Sequence, residues 1–197
     1  MKKGAMFGLD ARIALSIFGA LSVISGAALY SAIQESKTTK TLANFTELSK
    51  AWEQYLLDTG VTLPKDSGDL LKAKNLVSNI DNKSGWNGPY ISYTATSDYV
   101  LDHPEYLEVH FFQALKTENW GDNTTWTSAG AGEVCSVGDD NCSVWIQFTK
   151  VPGLTIAQSL DEKLDGGDGY SKGNFRVITN QTSPNYYIYH VASIGNL

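Results

Sequence analysis

The feature that most constrains this chain is an uncharged run of 21 residues, positions 13–33, close to its first residue. At a rise of about 1.5 Å per residue, a helix of this length spans about 30 Å, which matches the hydrocarbon thickness of a bilayer. Many residues of the run are Ala, Ser or Gly, and small side chains let helices pack closely where water supplies no driving force. The run predicts a membrane-crossing helix suited to helix–helix contact, with a plain anchor as the alternative.

The same helix is predicted to continue beyond the apolar run. After a polar patch, apolar side chains recur at the spacing of one helical stripe. They are Leu42, Phe45, Leu48, Trp52, Tyr55 and Leu56. Gly60 suits the left-handed position that ends a helix, and Pro64 follows it. The sequence therefore predicts one helix of about fifty residues, about 75 Å long, whose second half docks on a soluble domain.

Beyond Pro64 the pattern changes to short runs rich in Tyr, Val, Ile and Phe, separated by turn residues. The predicted strands are residues 90–95, 106–115, 143–150, 174–179 and 186–193. Residues 154–164 are predicted to form a short helix with Thr155 as its N-cap. The fold class is thus α+β, with a long N-terminal helix packed on an antiparallel sheet. No repeat or low-complexity linker separates the two, so helix and sheet are expected to form one structural unit.

The net charge and the absence of known catalytic motifs argue against two classes of function, nucleic-acid binding and enzymatic activity. The net charge is −6, and an acidic protein repels the phosphates of nucleic acids. The sequence contains no P-loop, no Gly-x-Gly-x-x-Gly motif after a strand, and no zinc-protease or serine-hydrolase motif. Neither a nucleic-acid partner nor an enzymatic activity is expected.

The chain has two cysteines, Cys135 and Cys142, with six residues between them. Such a close and isolated pair predicts a small disulfide loop in an oxidising compartment. The alternative, two zinc ligands, lacks neighbouring Cys or His residues to complete a tetrahedron.

Two further groups of residues are candidate sites. Asp161, Asp165 and Asp168 lie in a glycine-rich segment, and their oxygens suit Ca²⁺, as do those of Asp139 and Asp140. We expect these acids to be ordinary surface turn residues, with Ca²⁺ binding as the alternative, and no cofactor is expected. Trp120 and Trp126 lie in a polar loop, where they either stack on a sugar or partner protein or anchor the loop to the core.

The order of residues before the apolar run is unusual for a secretory leader, because small residues come before the apolar run and not after it. Lys2 and Lys3 are followed directly by Gly4 and Ala5, and a carboxylate, Asp10, precedes the run. This layout resembles the type IV pilin and type II secretion pseudopilin superfamily, whose members are cut by a prepilin peptidase ahead of an apolar helix that stays on the mature protein. The resemblance implies a cut between Ala5 and Met6, and N-methylation of the new terminus.

With that cut, Asp10 is the fifth mature residue, where the family usually has Glu, and Gly19 is the fourteenth. Ala27 stands where many members have a proline. The resemblance implies that Asp10 pairs with the amino group of Met6 on a neighbouring subunit. Arg12 is unusual, and either pairs with Asp10 or extends to the cytoplasmic headgroups. The segments "GWNGPYI", at residues 85–91, and "LDEKLDGGDG" followed by "GNFRV" also resemble segments of pilin-like proteins.

The resemblance implies four parts: a leader at residues 1–5, a membrane and filament-core helix half at 6–34, an amphipathic half at 35–62, and a globular pilin head at 63–197. It also implies a homo-oligomeric helical filament, processed by the prepilin peptidase and built by inner-membrane assembly machinery. The subunit would lie in the inner membrane before assembly and in an extracellular filament afterwards. The alternatives are a major pseudopilin in a periplasmic pseudopilus, and a membrane-anchored adhesin or binding protein that does not polymerise.

Overall fold

A computed structural model describes residues 5–66, 68–116, 120–122, 135, 141–149, 151–179 and 186–195, with side chains from residue 8 onward. The fold is α+β, as predicted: a long helix, α1 (Ala5–Thr59), precedes a six-stranded antiparallel sheet and a second helix, α2 (Leu154–Asp165). The sheet, α2 and their connections, from residue 63 onward, are called the head below.

Helix α1 is continuous over 55 residues, about 82 Å at the standard rise. The predicted stripe is the face that packs on the head: Phe45, Leu48, Trp52 and Tyr55 are buried, and Leu42 and Leu56 pack against them. The helix ends where predicted. Gly60 has a φ of 70°, which other residues rarely adopt, and its N–H donates to the Leu56 carbonyl at 2.8 Å.

The strands are β1 (Thr94–Ala95), β2 (Val100–Asp102), β3 (Val109–Leu115), β4 (Cys142–Phe148), β5 (Phe175–Ile178) and β6 (Tyr186–Ser193). Their order across the sheet is β1-β2-β3-β4-β6-β5, and all neighbouring strands are antiparallel. The long strands β3, β4 and β6 form its centre. Strand β6 therefore lies between β4 and β5, although it follows both along the chain.

The sequence predicted β3, β4, β5 and β6 to within a few residues but was less accurate before them. Of residues 90–95 only Thr94–Ala95 are in a strand, and β2 was missed, as was a short 3-10 helix at Ala73–Leu76. The extended prediction fails at Tyr90 because its N–H donates to the Leu76 carbonyl and its hydroxyl donates to Asp58 at the end of α1. These contacts hold the segment against α1 instead of in the sheet.

The turn at residues 85–91 contacts the end of α1. Gly85 has a φ of 81°, and a Cβ added there would collide with the carbonyl oxygen of Asp58. The indole N–H of Trp86 donates to the Asn75 carbonyl at 2.6 Å, and its ring meets Tyr90 edge-on. A glycine is required here because the turn touches the helix backbone directly.

Both faces of the sheet centre are covered. One face packs on α1 and α2, where the Phe45 ring stacks on Phe148 with centroids 4.2 Å apart. A smaller apolar cluster covers the other face, and it consists of Phe112, Ala114, Trp120, Trp145, Ile178 and Ile188. Strand β4 is consequently buried along its whole length rather than on alternate residues.

Helix α2 begins one residue before the predicted cap. Thr155 is inside the first turn, and the N-cap position is occupied by Gly153, with no side-chain capping bond. The Gly153 carbonyl accepts hydrogen bonds from the Ile156 and Ala157 amides and from the Tyr187 hydroxyl. The prediction of a Thr155 cap is wrong because the helix already begins at Leu154, directly after Gly153, whose φ of 112° suits glycine.

Candidate functional site

The first half of α1 is an extended apolar surface that the rest of the described chain leaves uncovered. Every side chain from residue 8 to residue 33 is exposed. Its large apolar residues, from Leu9 to Ile33, are 44–73% exposed. Soluble monomers rarely expose a continuous apolar surface of this extent, so a membrane or a partner is expected to cover it. Within the described part of the chain, α1 is the one helix long and apolar enough to cross a membrane, and it is compatible with membrane anchoring.

The predicted assembly residues lie along this exposed half. Asp10, Arg12 and Gly19 are all exposed, and a side chain at Gly19 would meet open space. Asp10 and Arg12 form no ion pair with each other, because residues two apart on a helix point to different sides. Internal pairing is therefore not the role of Arg12 in this structure.

The predicted cleavage site falls largely outside what the structure describes. Gly4 is outside the described residues, and of Ala5 and Met6 only the helical backbone is described. Cleavage between Ala5 and Met6, and pairing of the Met6 amino group, stay predictions.

The head first covers α1 at two threonines. Thr38 and Thr41 are completely buried, and each hydroxyl donates to the carbonyl four residues earlier. The Thr41 hydroxyl also lies 2.7 Å from the hydroxyl of Tyr106 in the head. Both buried hydroxyl groups are thus hydrogen-bonded, as burial requires. The two threonines mark the level at which α1 passes from open surroundings into the head.

Two ion pairs join the head to α1 at the same level. Lys163 of α2 contacts Glu35 at 2.5 Å, and Lys40 contacts Glu105 of the head at 2.8 Å. The hydrogen bond with Glu105 raises the pKa of Lys40. These groups are exposed, so the pairs add little stability. Because the two ion pairs contact α1 from different parts of the head, they help to define how the head is oriented on the helix.

The predicted disulfide is present. Cys135 and Cys142 are bonded, with their Cα atoms 5.4 Å apart, and both are nearly buried. The alternative of two zinc ligands is wrong, because each sulfur is bonded to the other. The bond fixes residue 135 at the start of β4, where the Lys65 ammonium group donates to the Cys135 carbonyl. Asp139 and Asp140, between the cysteines, lie outside the described residues.

The three candidate metal-binding acids lie together at the C-terminal end of α2. One carboxylate oxygen from each of Asp161, Asp165 and Asp168 lies within 4.8 Å of the others. Asp165 accepts hydrogen bonds from the amides of Asn174 and Phe175 and from the Asn174 side chain. Asp161 accepts one from the Gly169 amide. The interpretation of all three as surface residues is wrong for Asp161, which is 5% exposed; Asp168 is exposed.

Trp120 is a core residue and not a surface binding residue. It is 2% exposed, its indole N–H donates to the Leu115 carbonyl, and its ring meets Trp145 edge-on at 4.6 Å. The guanidinium of Arg176 lies 4.1 Å from the Trp120 ring centroid and donates to the Trp120 carbonyl. The surface-binding prediction is therefore wrong for Trp120, and its alternative, a core anchor, is correct. Trp126 lies outside the described residues.

Sequence patterns did not identify the polar residues that pack beside the smaller apolar cluster around Trp120 and Trp145. Arg176 is 1% exposed in the middle of β5, and the His190 ring meets Trp145 edge-on at 5.0 Å. Burial, with smaller contributions from Lys116 and Arg176, lowers the pKa of His190 to about 4, although the Asp165 carboxylate opposes this. The available signal was an arginine flanked by Phe and Val in a short strand, in a chain with many tryptophans, which favours cation–π packing.

Comparison with known proteins does not assign the chain to a family. No family model matches the chain, and no curated protein or solved structure matches it significantly. A long apolar N-terminal helix on an antiparallel sheet is compatible with a pilin-like fold.

Proposed function

We propose that this chain is a structural subunit of a type IV pilus-like surface filament, which assembles through the exposed half of α1 after residues 1–5 are removed. The observation that carries the proposal is the shape of α1: one unbroken helix, of which one half packs on the head and the other half is left uncovered by the described residues of its own chain. The pilin-like order of residues 4–12 supports it.

The energetics favour a covered helix. The exposed half carries eleven large apolar side chains between Leu9 and Ile33. Burying one such side chain is worth about 1.5–3 kcal/mol, so covering all of them amounts to more than about 10 kcal/mol. A dispersed monomer in water would forgo this free energy. A membrane can supply it before assembly, and packing against copies of the same helix can supply it in a filament.

Asp10 gives the packed helices a register. A carboxylate in an apolar environment is costly unless an opposite charge pairs with it. Asp10 has no ion-pair partner within its own chain in the part that the structure describes. The amino group of Met6 on a neighbouring subunit would satisfy it in one stagger of the helices and not in others, which selects that stagger.

The test compares Asp10→Ala with Asp10→Glu, and uses Asp66→Ala, an exposed acid of the head, as the matched control. The mass of the membrane-extracted chain reports cleavage, and electron microscopy of sheared surface material reports filaments. We expect all variants to begin at Met6, with filaments lost in Asp10→Ala and kept in the other two. Normal filament yield from Asp10→Ala, or a parent chain that is never cut after Ala5, would overturn the proposal.

The same experiment separates the two alternatives. A major pseudopilin would form a periplasmic pseudopilus, so sheared surface material would contain no filaments, and loss of the chain would block export of a secreted protein. A membrane-anchored adhesin or binding protein would retain Met1 and stay monomeric in the membrane. Surface filaments at native expression levels favour the pilus-like subunit over both.

A further inference from the structure

The three clustered aspartates lie close enough for their carboxylates to share one cation. Their nearest oxygens lie within 4.8 Å of one another. Ca²⁺ binds oxygens at about 2.3–2.6 Å, so two ligands on opposite sides of the ion lie about 5 Å apart. Mg²⁺ requires about 2.0–2.1 Å, which brings opposite ligands to about 4.2 Å. Separations of up to 4.8 Å are within the span of one Ca²⁺, and small adjustments of the side chains would bring all three carboxylates to it.

A second observation points to a missing partner in this cluster. Asp161 is 95% buried, since its exposed fraction is 5%. Its Oδ2 atom accepts a hydrogen bond from the Gly169 amide, whereas its Oδ1 atom is shielded from solvent and has no hydrogen-bond partner. A buried carboxylate oxygen without a donor or a cation is costly, and native structures contain few of them.

The neighbouring Asp165 differs from Asp161, because the loop after α2 supplies hydrogen-bond donors to its carboxylate. Both of its oxygens accept hydrogen bonds, from the amides of residues 174 and 175 and from the Asn174 side chain. The Oδ2 atom accepts both amide hydrogen bonds, whereas the Oδ1 atom accepts one hydrogen bond and keeps a further lone pair for a cation. The fold thus completes one acid and leaves the buried Oδ1 of Asp161 open.

The charged groups that act on Asp161 are acidic, although Lys116 reaches the same loop through the Asn174 side chain. The pKa of Asp161 is raised, first by burial and then by the carboxylates of Asp168, Asp165 and Glu162. The one nearby cation on α2, Lys163, is turned away into its ion pair with α1. A bound divalent cation would relieve both the burial cost and the mutual repulsion.

We propose that the loop at the end of α2 binds one Ca²⁺ through the carboxylates of Asp161, Asp165 and Asp168, with water completing the coordination. Asp161 and Asp165 already tie residues 169 and 174–175 to α2. Binding of the ion therefore locks the connection from α2 to β5, next to the ion pair that joins α2 to α1.

The test uses the full chain in detergent micelles after treatment with a chelator, so it does not depend on filament formation. Calcium chloride is titrated by calorimetry, and terbium luminescence, excited through the nearby Tyr170, reports occupancy of the same site. We expect heat for one ion per chain, a higher melting temperature with calcium, and binding of magnesium at least about tenfold weaker. Absence of calcium heat together with an unchanged melting temperature would overturn the proposal.

Variants separate this site from general binding to an acidic protein. Asp168→Asn changes an exposed side chain and is expected to fold, and Asp161→Asn removes the buried charge with little change in shape. We expect calcium affinity to fall about tenfold or more in each, because charged ligands set the affinity of such sites. The matched control is Asp66→Asn, an exposed acid outside the cluster, which should bind as the parent does. Parent-like affinity in Asp168→Asn, or an equal loss in the control, would refute the assignment.

Discussion

Replacing Phe45 with alanine tests whether α1 is an integral part of the core of the head. The ring is completely buried. It stacks on Phe148 at 4.2 Å and on Tyr189 at 5.0 Å, and it meets Phe175 edge-on at 6.4 Å. Because these rings belong to β4, β5 and β6, one side chain of α1 contacts three strands of the sheet.

The expected cost follows from that environment. Truncating a buried Phe to Ala typically costs about 3–5 kcal/mol, which includes the loss of aromatic pairs worth about 0.5–1.5 kcal/mol each. Three aromatic neighbours place Phe45→Ala near the middle of that range, at about 4 kcal/mol. With a urea slope of about 2 kcal/mol per molar, the unfolding midpoint should fall by about 2 M.

Tryptophan fluorescence during urea unfolding in detergent micelles measures this change. All five tryptophans lie at residue 52 or later, so they report on the head and the part of α1 packed on it. Phe18→Ala is the matched control: it makes the same change on the same helix, where the ring is 70% exposed. We expect its midpoint to match that of the parent. A loss below about 1 kcal/mol in Phe45→Ala, or equal losses in both variants, would refute this account of the core.

Three other measurements test separate features. Gly85→Ala should lower the free energy of unfolding by at least about 2 kcal/mol, because its Cβ would overlap the backbone of α1. The control, Gly60→Ala, has a similar φ and open space around it, and should lower it by about 1 kcal/mol. Equal losses in urea unfolding would contradict this difference. Joint replacement of Cys135 and Cys142 by Ser should lower the free energy of unfolding by about 2.5 kcal/mol, and a reducing agent should lower that of the parent by a similar amount; a parent whose unfolding midpoint does not respond to the reducing agent would contradict this bond. The pKa of His190 is lowered to about 4, against about 6.5 in the unfolded chain, so the fold favours the neutral ring, and stability is full above about pH 6.5 and declines as the pH falls towards 4. We expect the free energy of unfolding to fall by about 1–2 kcal/mol from pH 7 to pH 5, and by less in His190→Gln. Identical pH profiles of the parent and His190→Gln would disprove this role of the ring.

Much of the fold was predictable because local pattern and tertiary burial agree in α1 and in the long strands. The apolar residues of α1 repeat at helical spacing, and the same residues are the ones buried against the sheet. Strand β6, rich in Tyr, Ile and Val, has the bounds that its composition predicts. In both cases the side chains that favour the local conformation are also those that the core needs.

The missed features depend on contacts that are distant in sequence. Strand β2 has three residues, too few to show a period, and it is defined by pairing with β3. Trp120 resembled a surface residue because its loop is polar, but its ring packs on Arg176, which lies 56 residues later. Asp161 resembled a surface turn acid, and its burial follows from how the loop after α2 folds back onto the helix. Sequence spacing alone carries none of this information.

The place of β6 in the sheet also governs when the head can form. On a ribosome, β4 and β5 emerge first, and neither can complete its hydrogen bonding until residues 186–193 are available to fit between them. During that interval β4 presents a bare edge, which is a template for strands of other nascent chains. A deletion that starts at residue 186 would therefore divide the sheet internally instead of trimming its border, and aggregation during synthesis is the failure to expect from it.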